Sequence, residues 1–325
     1  MKKRFLLKAL SAVAMLAFTG TKALAQLNPG RPVRIVVPLP AGTATDQSAR
    51  TLGQQMSQLL GGQSFIVDNK AGGGTVIGAM DVVRAAPDGH TLLFASVSTL
   101  AINMALVKNV PYDPRRDFTP IAGFGATTLV LMVRPSHPAK TLQEFISHAK
   151  QNPGKVSVGY AASVVQVQIA AFDKVAGTNV LAVPYKGIPA IITDMIGGTI
   201  DASWIDLANA MTHAKAGSLR PLAVTTAKRS PLVPDWPSVM EVLPGSGFDY
   251  PAWFALVGPA GMPKDVADKL SAAAIQALSQ PGMSEKLASL GMAPMPLAPE
   301  PLRAFIAGEI VKWTRSAADA NIQPQ

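Results

Sequence analysis

Two stretches near the start of the chain decide its fold: Val33-Arg34-Ile35-Val36-Val37-Pro38-Leu39-Pro40-Ala41-Gly42-Thr43 and Phe65-Ile66-Val67-Asp68-Asn69-Lys70-Ala71-Gly72-Gly73-Gly74-Thr75. In each, a short β-branched run gives way to small residues and then to a helical pattern, which predicts a strand, a glycine-rich turn and a helix. A helix that begins at such a turn exposes free backbone N–H groups together with the positive end of its dipole. Both turns are therefore typical of sites that bind a small anion such as a carboxylate.

Strand-like and helical runs alternate along most of the sequence. This alternation predicts parallel sheets flanked by helices, an α/β architecture. The last third is mainly helical, which suits a chain that returns to cover its first domain. The strand candidates are residues 33–37, 65–67, 91–95, 128–133, 155–159, 200–205 and 221–225, and the helix candidates are residues 45–60, 75–86, 142–151, 188–196, 263–278, 283–290 and 299–318.

The first 25 residues carry the features of a secretory signal peptide. Lys2, Lys3 and Arg4 precede an apolar run over residues 5–18, and Ala23-Leu24-Ala25 supplies the small residues that a signal peptidase recognises. The apolar run is shorter than the roughly 20 residues that a membrane-spanning helix needs. No cysteine follows the cleavage point, which excludes a lipid-anchored form. We therefore expect cleavage before Gln26 and export of the chain.

The charges of the sequence argue against one class of partner. The formal net charge is +9, and five of these positive charges lie in the signal segment. The remaining charges are scattered and do not form the clustered basic face that nucleic acid requires, so nucleic acid is not an expected partner. The sequence contains no cysteine, so disulfides and thiol chemistry are excluded and stability must come from burial.

The two turns have more than one interpretation. Glycine and proline at a strand end also serve as plain turn residues, and Asp46 is better explained as a helix cap than as a ligand contact. Two such turns in neighbouring βα units favour binding, because ligands of open α/β sheets lie at the carboxyl ends of the strands. The second turn does not continue as a dinucleotide fingerprint, since the position that must be glycine is Ile77.

Three further candidates follow other extended runs. Ser96 comes after residues 91–95, Lys186 follows the run that ends at Pro184, and Asp206 follows residues 200–205. Ser96 serves equally well as a cap of the next helix, and Lys186 as a solvated lysine. As ligand contacts, Lys186 would pair with a second carboxylate, and Asp206 would meet an amine or a water.

Signatures of an enzyme are weak. The four histidines, His90, His137, His148 and His213, show no metal-ligand spacing, so no metal site is expected. The sequence has neither a G-x-S-x-G motif nor a cysteine nucleophile, and it has no P-loop. We therefore expect neither catalysis nor a cofactor.

The order of short motifs along the chain resembles that of the tripartite tricarboxylate transporter receptors, the TctC or Bug family of periplasmic solute-binding proteins. The similarity covers nearly all of the chain after the signal segment. The motifs that carry it are Arg31-Pro32-Val33, residues 38–46, Ala49-Arg50, residues 71–78, Pro87-Asp88-Gly89, Pro111-Tyr112-Asp113-Pro114, Asp117-Phe118, Asn152-Pro153-Gly154-Lys155, residues 184–187, residues 219–225, Pro259-Ala260-Gly261 and Lys312-Trp313.

The resemblance implies a type II periplasmic-binding-protein fold, an α/β Venus flytrap with two Rossmann-like lobes. Residues 26–128 and 250–325 would form lobe 1, and residues 129–249 an inserted lobe 2. A two-segment hinge would lie near residues 128–135 and 248–258. Family members hold a carboxylate through backbone N–H groups and hydroxyls of the lobe 1 turns. Carried onto this chain, those positions are Leu39, Ala41, Gly42, Thr43, Gly72, Gly73, Gly74, Thr75 and Ser96.

The lobe 2 side departs from the family pattern. A Gly/Ser-rich loop that ends in a histidine is replaced by residues 159–166, which lack the inner glycines and have Gln166 where histidine is common. The candidate contacts there are Tyr160, Ala161 and Ser163. Tyr160 either gives the pocket an aromatic wall that favours a bulkier or aromatic acid, or it packs inward.

The function implied by the resemblance is that of a periplasmic receptor without chemistry of its own. It would capture a small organic mono- or dicarboxylate and deliver it to membrane transporter subunits. The alternative is a ligand-sensing protein of the same fold that reports occupancy to a two-component sensor kinase. A monomer is expected, since a receptor of this kind must release its ligand to another protein.

Overall fold

The computed structural model describes residues 27–324, so the signal segment predicted for residues 1–25 lies outside it. The described residues form two β-sheets and the helices that pack on them. In chain order the strands are β1 (Val33–Val37), β2 (Phe65–Asn69), β3 (Thr91–Ser96), β4 (Phe118–Thr127), β5 (Leu129–Val133), β6 (Ser157–Tyr160), β7 (Leu181–Pro184), β8 (Ala202–Asp206), β9 (Arg220–Val224), β10 (Ala252–Pro259) and β11 (Ala293–Pro294). The helices are α1 (Ala44–Leu59), α2 (Val76–Val83), α3 (Asn103–Leu106), α4 (Leu142–Gln151), α5 (Ser163–Ala176), α6 (Ile188–Gly197), α7 (Leu207–Lys215), α8 (Val239–Val242), α9 (Lys264–Leu278), α10 (Met283–Ser289) and α11 (Pro299–Asp319), with a 3-10 turn at Gly73–Thr75 and a π-helical turn at Ser98–Ile102.

The first sheet has six strands in the order β11-β4-β10-β3-β1-β2. β1 pairs in parallel with β2 and β3, as the alternation of strands and helices predicts. β10 runs antiparallel to both β3 and β4, and β11 runs antiparallel to β4. The prediction of parallel sheets is therefore wrong for this part of the sheet. Two parallel neighbours are joined by a crossover connection, usually a helix that packs on the same sheet, whereas β10 comes to the first sheet from the second sheet.

The second sheet has five strands in the order β7-β6-β8-β5-β9. β6 is parallel to β7 and β8, but β5 is antiparallel to both β8 and β9. A single residue, Thr128, separates β5 from β4 of the first sheet. β5 therefore enters the second sheet straight from β4, without a crossover helix that would make it parallel to its neighbours. Both sheets contain parallel and antiparallel pairs.

The chain passes between the sheets at Thr128 and again between Val224 and Ala252. The hydroxyl oxygens of Thr128 and Thr225 lie 3.0 Å apart, and the Thr225 hydroxyl donates to the Tyr250 carbonyl at 3.1 Å. The Tyr250 N–H in turn donates to the Thr225 carbonyl at 2.9 Å. The connecting segments are therefore hydrogen-bonded to one another at one point between the two sheets.

The closing helices return to the first sheet, as the helical last third of the sequence suggests. Leu52 of α1 and Leu270 of α9 are buried in one apolar cluster with Ile35 and Phe94 of the sheet. In a chain without cysteine, burial of this kind is the main source of stability. Trp313 of α11 is buried in a second, larger cluster that continues into the second sheet.

Candidate functional site

The carboxyl ends of β1, β2 and β3 meet at one edge of the first sheet, because the three strands are parallel. β1 lies between β2 and β3. Helix α1 shares an apolar cluster with Ile35, and α2 shares another with Val36, so the two helices pack on opposite faces of the sheet. Open α/β sheets bind ligands at the carboxyl ends of the strands, where the helices that follow neighbouring strands lie on opposite faces of the sheet.

The first turn is closed by its own side chains. Thr43 is the N-cap residue of α1 and has an extended backbone, with φ −70° and ψ 160°. Its hydroxyl donates to the Pro40 carbonyl at 2.9 Å and accepts from the Asp46 N–H at 3.3 Å. The Thr43 hydroxyl, a predicted ligand contact, is thus engaged inside the turn as a helix cap.

Asp46 lies at the centre of the first turn and is only 3% exposed. Its carboxylate accepts the Gly42 N–H at 2.9 Å and the Asn69 side-chain amide at 3.1 Å, and it lies 3.0 Å from the Arg50 guanidinium. Burial by itself raises the pKa of Asp46, but the hydrogen bonds from Arg50, Gly42 and Asn69 outweigh burial and lower the pKa below 3.8. Asp46 is therefore an ionised cap, and it occupies the Gly42 N–H, one of the predicted ligand donors.

Several N–H groups of the first turn and of the start of α1 are free. The N–H groups of Ala44 and Thr45 open α1 and have no acceptor within residues 27–324. Ala41 is exposed at the tip of the turn. Leu39 is half-buried, and its carbonyl accepts the Asn69 side-chain amide at 3.0 Å. The N–H groups of Ala41 and Thr43 likewise have no acceptor among these residues, so the donors that remain for an anion are those of Ala41, Thr43, Ala44 and Thr45.

The second turn is made of four consecutive residues with positive φ. Gly72, Gly73, Gly74 and Thr75 have φ angles of +127°, +55°, +60° and +81°. Glycine adopts such angles readily, whereas a β-branched residue is an outlier there. An outlier of this kind costs about 1–3 kcal/mol and persists only where the surroundings fix it. Gly73 and Gly74 are exposed, and their N–H groups have no acceptor in the part of the chain that the structure describes.

Four buried polar side chains support the second turn from inside; we call Thr75, Thr99, Asn103 and Tyr112 the Asn103 network. The Asn103 amide donates to the Gly74 carbonyl at 2.9 Å and lies 3.2 Å from the Thr75 hydroxyl oxygen. The Thr99 hydroxyl donates to the Thr75 hydroxyl oxygen at 3.0 Å. The Tyr112 hydroxyl donates to the Thr99 carbonyl at 2.8 Å. The Thr75 hydroxyl, predicted as a ligand contact, therefore belongs to this buried network.

The two turns are in direct contact. A Cβ added to Gly78 of α2 would lie 2.8 Å from the Pro38 Cβ, 2.9 Å from the Pro38 Cα and 3.0 Å from the Lys70 carbonyl oxygen. Only glycine allows α2 to come this close to the residue that follows β1. The Lys70 N–H also donates to the Val37 carbonyl at 2.8 Å. The free N–H groups of both turns are thereby brought to the same edge.

Ser96 completes this edge. It ends β3 and is 9% exposed, and its hydroxyl has no hydrogen-bond partner among residues 27–324. The β1–β3 register pairs Val36 with Leu93, so Ser96, three residues further along β3, lies at the end of the sheet from which the first turn leaves β1. Its hydroxyl is thus a further donor beside the first turn.

The predicted contacts of the second sheet also lie at carboxyl ends of strands. Tyr160 ends β6 opposite Pro184 of β7, and Lys186 follows β7. Lys186 is exposed, and the ion pairs of the described lysines do not include it. Tyr160 is half-buried and packs against the larger apolar cluster.

The other predicted residues of the second sheet pack against its core, begin a helix or cap a helix. Ala161 packs against the apolar cluster of that sheet. Ser163 is the first residue of α5, and the N-cap residue Ala162 supplies no side-chain acceptor. Asp206 caps α7, where its carboxylate accepts the Asn209 N–H at 3.1 Å and the Asn209 side-chain amide at 2.7 Å. The cap alone explains an aspartate at position 206.

Two kinds of feature are missing from the described part of the chain. Between residues 27 and 324 no three His, Cys, Asp or Glu side chains come together as a metal site would require. Over the same residues no helix combines the length and the apolar character that crossing a bilayer demands.

The sequence matches the model of the tripartite tricarboxylate transporter receptor family, TctC, over residues 48–322. The chain belongs to this family. It is 33% identical to BugT of Bordetella pertussis over 288 residues, which are 88% of this chain and 88% of that protein. Its fold is that of the two-lobed periplasmic solute-binding proteins.

Two solved structures similar to this TctC-family chain carry ligands. Rpa4515 of Rhodopseudomonas palustris, solved with adipate, is 31% identical, with a TM-score of 0.77 over 91% of this chain and 99% of that one. MatC of the same organism, solved with bound malate, is 30% identical, with a TM-score of 0.72 over 89% of this chain and 99% of that one. Both ligands are small carboxylates.

Three residues that shape the site of this TctC-family chain were not among the predicted contacts. Asn69 bonds to Asp46 and to the Leu39 carbonyl, and it stands in the second quoted stretch. Tyr112 stands in the motif Pro111-Tyr112-Asp113-Pro114, which carries part of the resemblance. Asn103 is 28 residues from Thr75, so no local pattern could have indicated it.

Proposed function

We propose that this chain is a periplasmic receptor that captures a small organic carboxylate and delivers it to a tripartite tricarboxylate-type membrane transporter, without catalysing a reaction. The observation that carries the proposal is the group of unpaired N–H donors at one sheet edge. These donors belong to Ala41, Thr43, Ala44, Thr45, Gly73 and Gly74, and the Ser96 hydroxyl lies at the same edge of the sheet. A carboxylate is an acceptor of several hydrogen bonds, which is what such a group of donors requires.

A buried negative charge beside an anion site would oppose binding. Asp46 is such a charge, but it is paired with Arg50 and accepts the Gly42 N–H and the Asn69 amide. The guanidinium offsets most of the repulsion that a ligand carboxylate would meet. The first turn therefore keeps its ionised cap and still accepts an anion at the start of α1.

The second sheet offers a cation for the other end of a ligand. Lys186 precedes α6, whose N-cap residue Gly187 provides no side-chain acceptor. A second carboxylate would find there both an ammonium group and the free N–H groups of a helix start. Adipate and malate, the ligands of the two similar structures, are dicarboxylates, which supports this assignment.

The proposed lobes are residues 26–128 with 250–325, and residues 129–249. The sheet membership of the strands supports this division, since β5 to β9 form the second sheet and all other strands the first. Rotation about the segments at Thr128 and Thr225–Tyr250 would close the lobes on a ligand that contacts both. The proposed state is a monomer, exported by the signal segment.

The test is a ligand screen of residues 26–325, unfolded and refolded to remove any co-purified ligand. A ligand present at about 100 times its Kd stabilises the folded state by roughly 2.7 kcal/mol, which raises Tm visibly. We expect adipate, malate or a related acid to raise Tm and its dimethyl ester to have no effect. An ester that binds as well as the acid, or silence across the acids, would refute the proposal.

The assignment of Lys186 has its own test. Lys186→Gln should weaken binding of a dicarboxylate about tenfold or more, because hydrogen bonds to a charged group are worth roughly 1.5–3 kcal/mol. The same variant should scarcely change the affinity for a monoester of that acid, whose one remaining carboxylate binds to lobe 1. Lys155→Gln is the matched control, since Lys155 is exposed and precedes β6 at the opposite edge of the same sheet. Equal loss in both variants would show a nonspecific charge effect.

A further inference from the structure

The second turn needs support from outside its own residues. Gly72, Gly73 and Gly74 have no side chains to pack, and glycine loses more conformational freedom on folding than any other residue. A turn that samples many conformations binds an anion only after it has been ordered, and that ordering weakens the affinity. A tight anion site at Gly73 and Gly74 therefore requires a turn that is fixed before the ligand arrives.

The Asn103 network fixes the peptide unit that follows Gly74. Asn103 donates to the Gly74 carbonyl at 2.9 Å, and the Thr75 N–H donates to the Gly72 carbonyl at 3.1 Å. These two groups belong to one planar peptide unit. Since that unit is bonded at its carbonyl and at its N–H, only the two backbone dihedrals of Gly74 still set the direction of the free Gly74 N–H.

Tyr112 fixes Asn103 in turn. The Asn103 amide has two hydrogens but three acceptors within 3.2 Å: the Gly74 carbonyl, the Thr75 hydroxyl and the Tyr112 hydroxyl. The Tyr112 ring is buried edge-on to Phe118, with 5.8 Å between ring centroids, and its hydroxyl donates to the Thr99 carbonyl. Burial raises the pKa of Tyr112 to about 12, so the hydroxyl keeps its proton at neutral pH.

We infer that Asn103 and Tyr112 are positioning residues for carboxylate binding: they act through the second turn by fixing the direction of the Gly73 and Gly74 N–H groups. The inference rests on the proposed function, because it assigns the network to the binding of an acid. It also gives a role to the motif Pro111-Tyr112-Asp113-Pro114, for which the predicted ligand contacts provide none.

The experiment compares Tyr112→Phe and Asn103→Leu with the unchanged protein, each as residues 26–325. One readout is amide hydrogen exchange over residues 70–78 without ligand, and the other is calorimetric affinity for adipate and for malate. We expect faster exchange in both variants. The Kd should rise on the order of fivefold for Tyr112→Phe and about tenfold or more for Asn103→Leu, because a lost hydrogen bond changes an equilibrium by roughly such factors.

Thr119→Val is the matched control, because the Thr119 hydroxyl also donates to a carbonyl, that of Pro259 at 2.9 Å, and lies at the opposite edge of the same sheet. The control should lower Tm about as much as Tyr112→Phe and change neither exchange over residues 70–78 nor affinity. Tyr112→Phe keeps the ring and its packing, so it provides the result if Asn103→Leu does not fold.

Two outcomes would overturn the inference: unchanged exchange over residues 70–78, or faster exchange with unchanged affinity, which would mean a purely structural network. Failure of the proposed function is a different outcome, because the unchanged protein would then bind neither these acids nor any other acid of the screen. In that event the exchange readout still decides whether Asn103 and Tyr112 fix the turn.

Discussion

The two glycine-rich turns share a sequence pattern and are built in opposite ways. In the first turn the support is local: Asp46 bonds the Gly42 N–H four residues away and is neutralised by Arg50, one helical turn further on. In the second turn the support is remote, since Asn103 and Thr99 lie more than 20 residues from the glycines they help to fix. The comparison shows that the pattern predicts a turn, whereas the partners of its N–H groups decide which donors are left for a ligand.

The largest expected effect comes from a change that separates the two turns. Gly78→Leu places a side chain where even a Cβ would be 2.8 Å from Pro38. Overpacking against backbone should cost about 3 kcal/mol of unfolding free energy and should abolish carboxylate binding, because neither turn could keep its position. Urea unfolding and calorimetry measure the two effects.

Gly308→Leu is the matched control for that variant. Gly308 lies in α11 with no heavy atom within 4 Å of an added Cβ. Leucine is a much better helix former than glycine, so the free energy of unfolding of this variant should rise by up to about 1 kcal/mol. Its affinity for the carboxylate should not change. A Gly78→Leu protein as stable as Gly308→Leu would show that the two turns do not depend on their contact.

An intermediate effect is expected from the local support of the first turn. Asp46→Ala leaves the Gly42 N–H and the Asn69 amide without their acceptor and should cost about 2 kcal/mol at pH 7. The pKa of Asp46 is lower in the folded protein than its ordinary value of 3.8, so ionisation stabilises the fold above that value and this contribution is lost as the pH falls through the folded pKa. The stability difference between wild type and variant should therefore shrink as the pH falls below 3.8.

Asp46→Asn separates charge from hydrogen bonding in the same experiment. The introduced amide keeps an acceptor for the Gly42 N–H but loses the attraction of Arg50. The free energy of unfolding of Asp46→Asn at pH 7 should therefore lie between those of the wild type and Asp46→Ala. A stability difference that does not change with pH would contradict the assignment of an ionised Asp46.

The smallest effect on stability is expected at the second turn. Gly74→Ala places an alanine at a backbone position with φ +60° and should lower the free energy of unfolding by about 1 kcal/mol. Gly217→Ala should lower the free energy of unfolding by the same amount, because Gly217, in the turn between α7 and β9, has φ +68° and equally open surroundings. Only Gly74→Ala should weaken carboxylate binding. Equal affinities of the two variants would remove the second turn from the site.

The sequence predicted strands where β-branched runs were bounded by turns, as in Val33–Val37, and missed a helix where the pattern was ambiguous. Residues 163–170, Ser-Val-Val-Gln-Val-Gln-Ile-Ala, alternate like a strand, and α5 was not predicted. Its buried positions are 165, 167, 168, 169, 172 and 176. Positions 165, 169, 172 and 176 have helical spacing, but buried Val167 and the local alternation of valine and glutamine obscure it. Tertiary burial overrides local propensity here.

Strand β4 was missed for another reason. It contains Pro120, Gly123 and Gly125, which are unfavourable in a strand interior. A Cβ on Gly123 would lie 2.5 Å from the Met295 carbonyl oxygen, so the glycine allows a later segment of the chain to approach. A contact over such a separation in sequence leaves no local signal, and the same holds for β10, whose antiparallel neighbours depend on the passage between the sheets.

At the site, the sequence predicted the position of both turns and the capping role of Asp46. It did not predict which N–H groups are free, because that depends on pairs such as Asp46 with Gly42 and Asn103 with Gly74. The sequence predicted Asp206 as a ligand contact and did not predict its role as the cap of α7. Hydrogen-bond partners across the fold are thus the part of the site that a single sequence leaves open.

The hydroxyl contact between Thr128 and Thr225 bears on how receptors of this design diversify. The second sheet begins with β5 directly after Thr128 and ends with β9 directly before Thr225, and the two hydroxyl oxygens lie 3.0 Å apart, so the entry and exit of the sheet adjoin. An insertion with adjoining ends can be exchanged as a cassette without disturbing the host domain. Under the proposed function, exchange of residues 129–249 as a unit would change the ligand contacts of lobe 2 and leave the carboxylate contacts of lobe 1 unchanged.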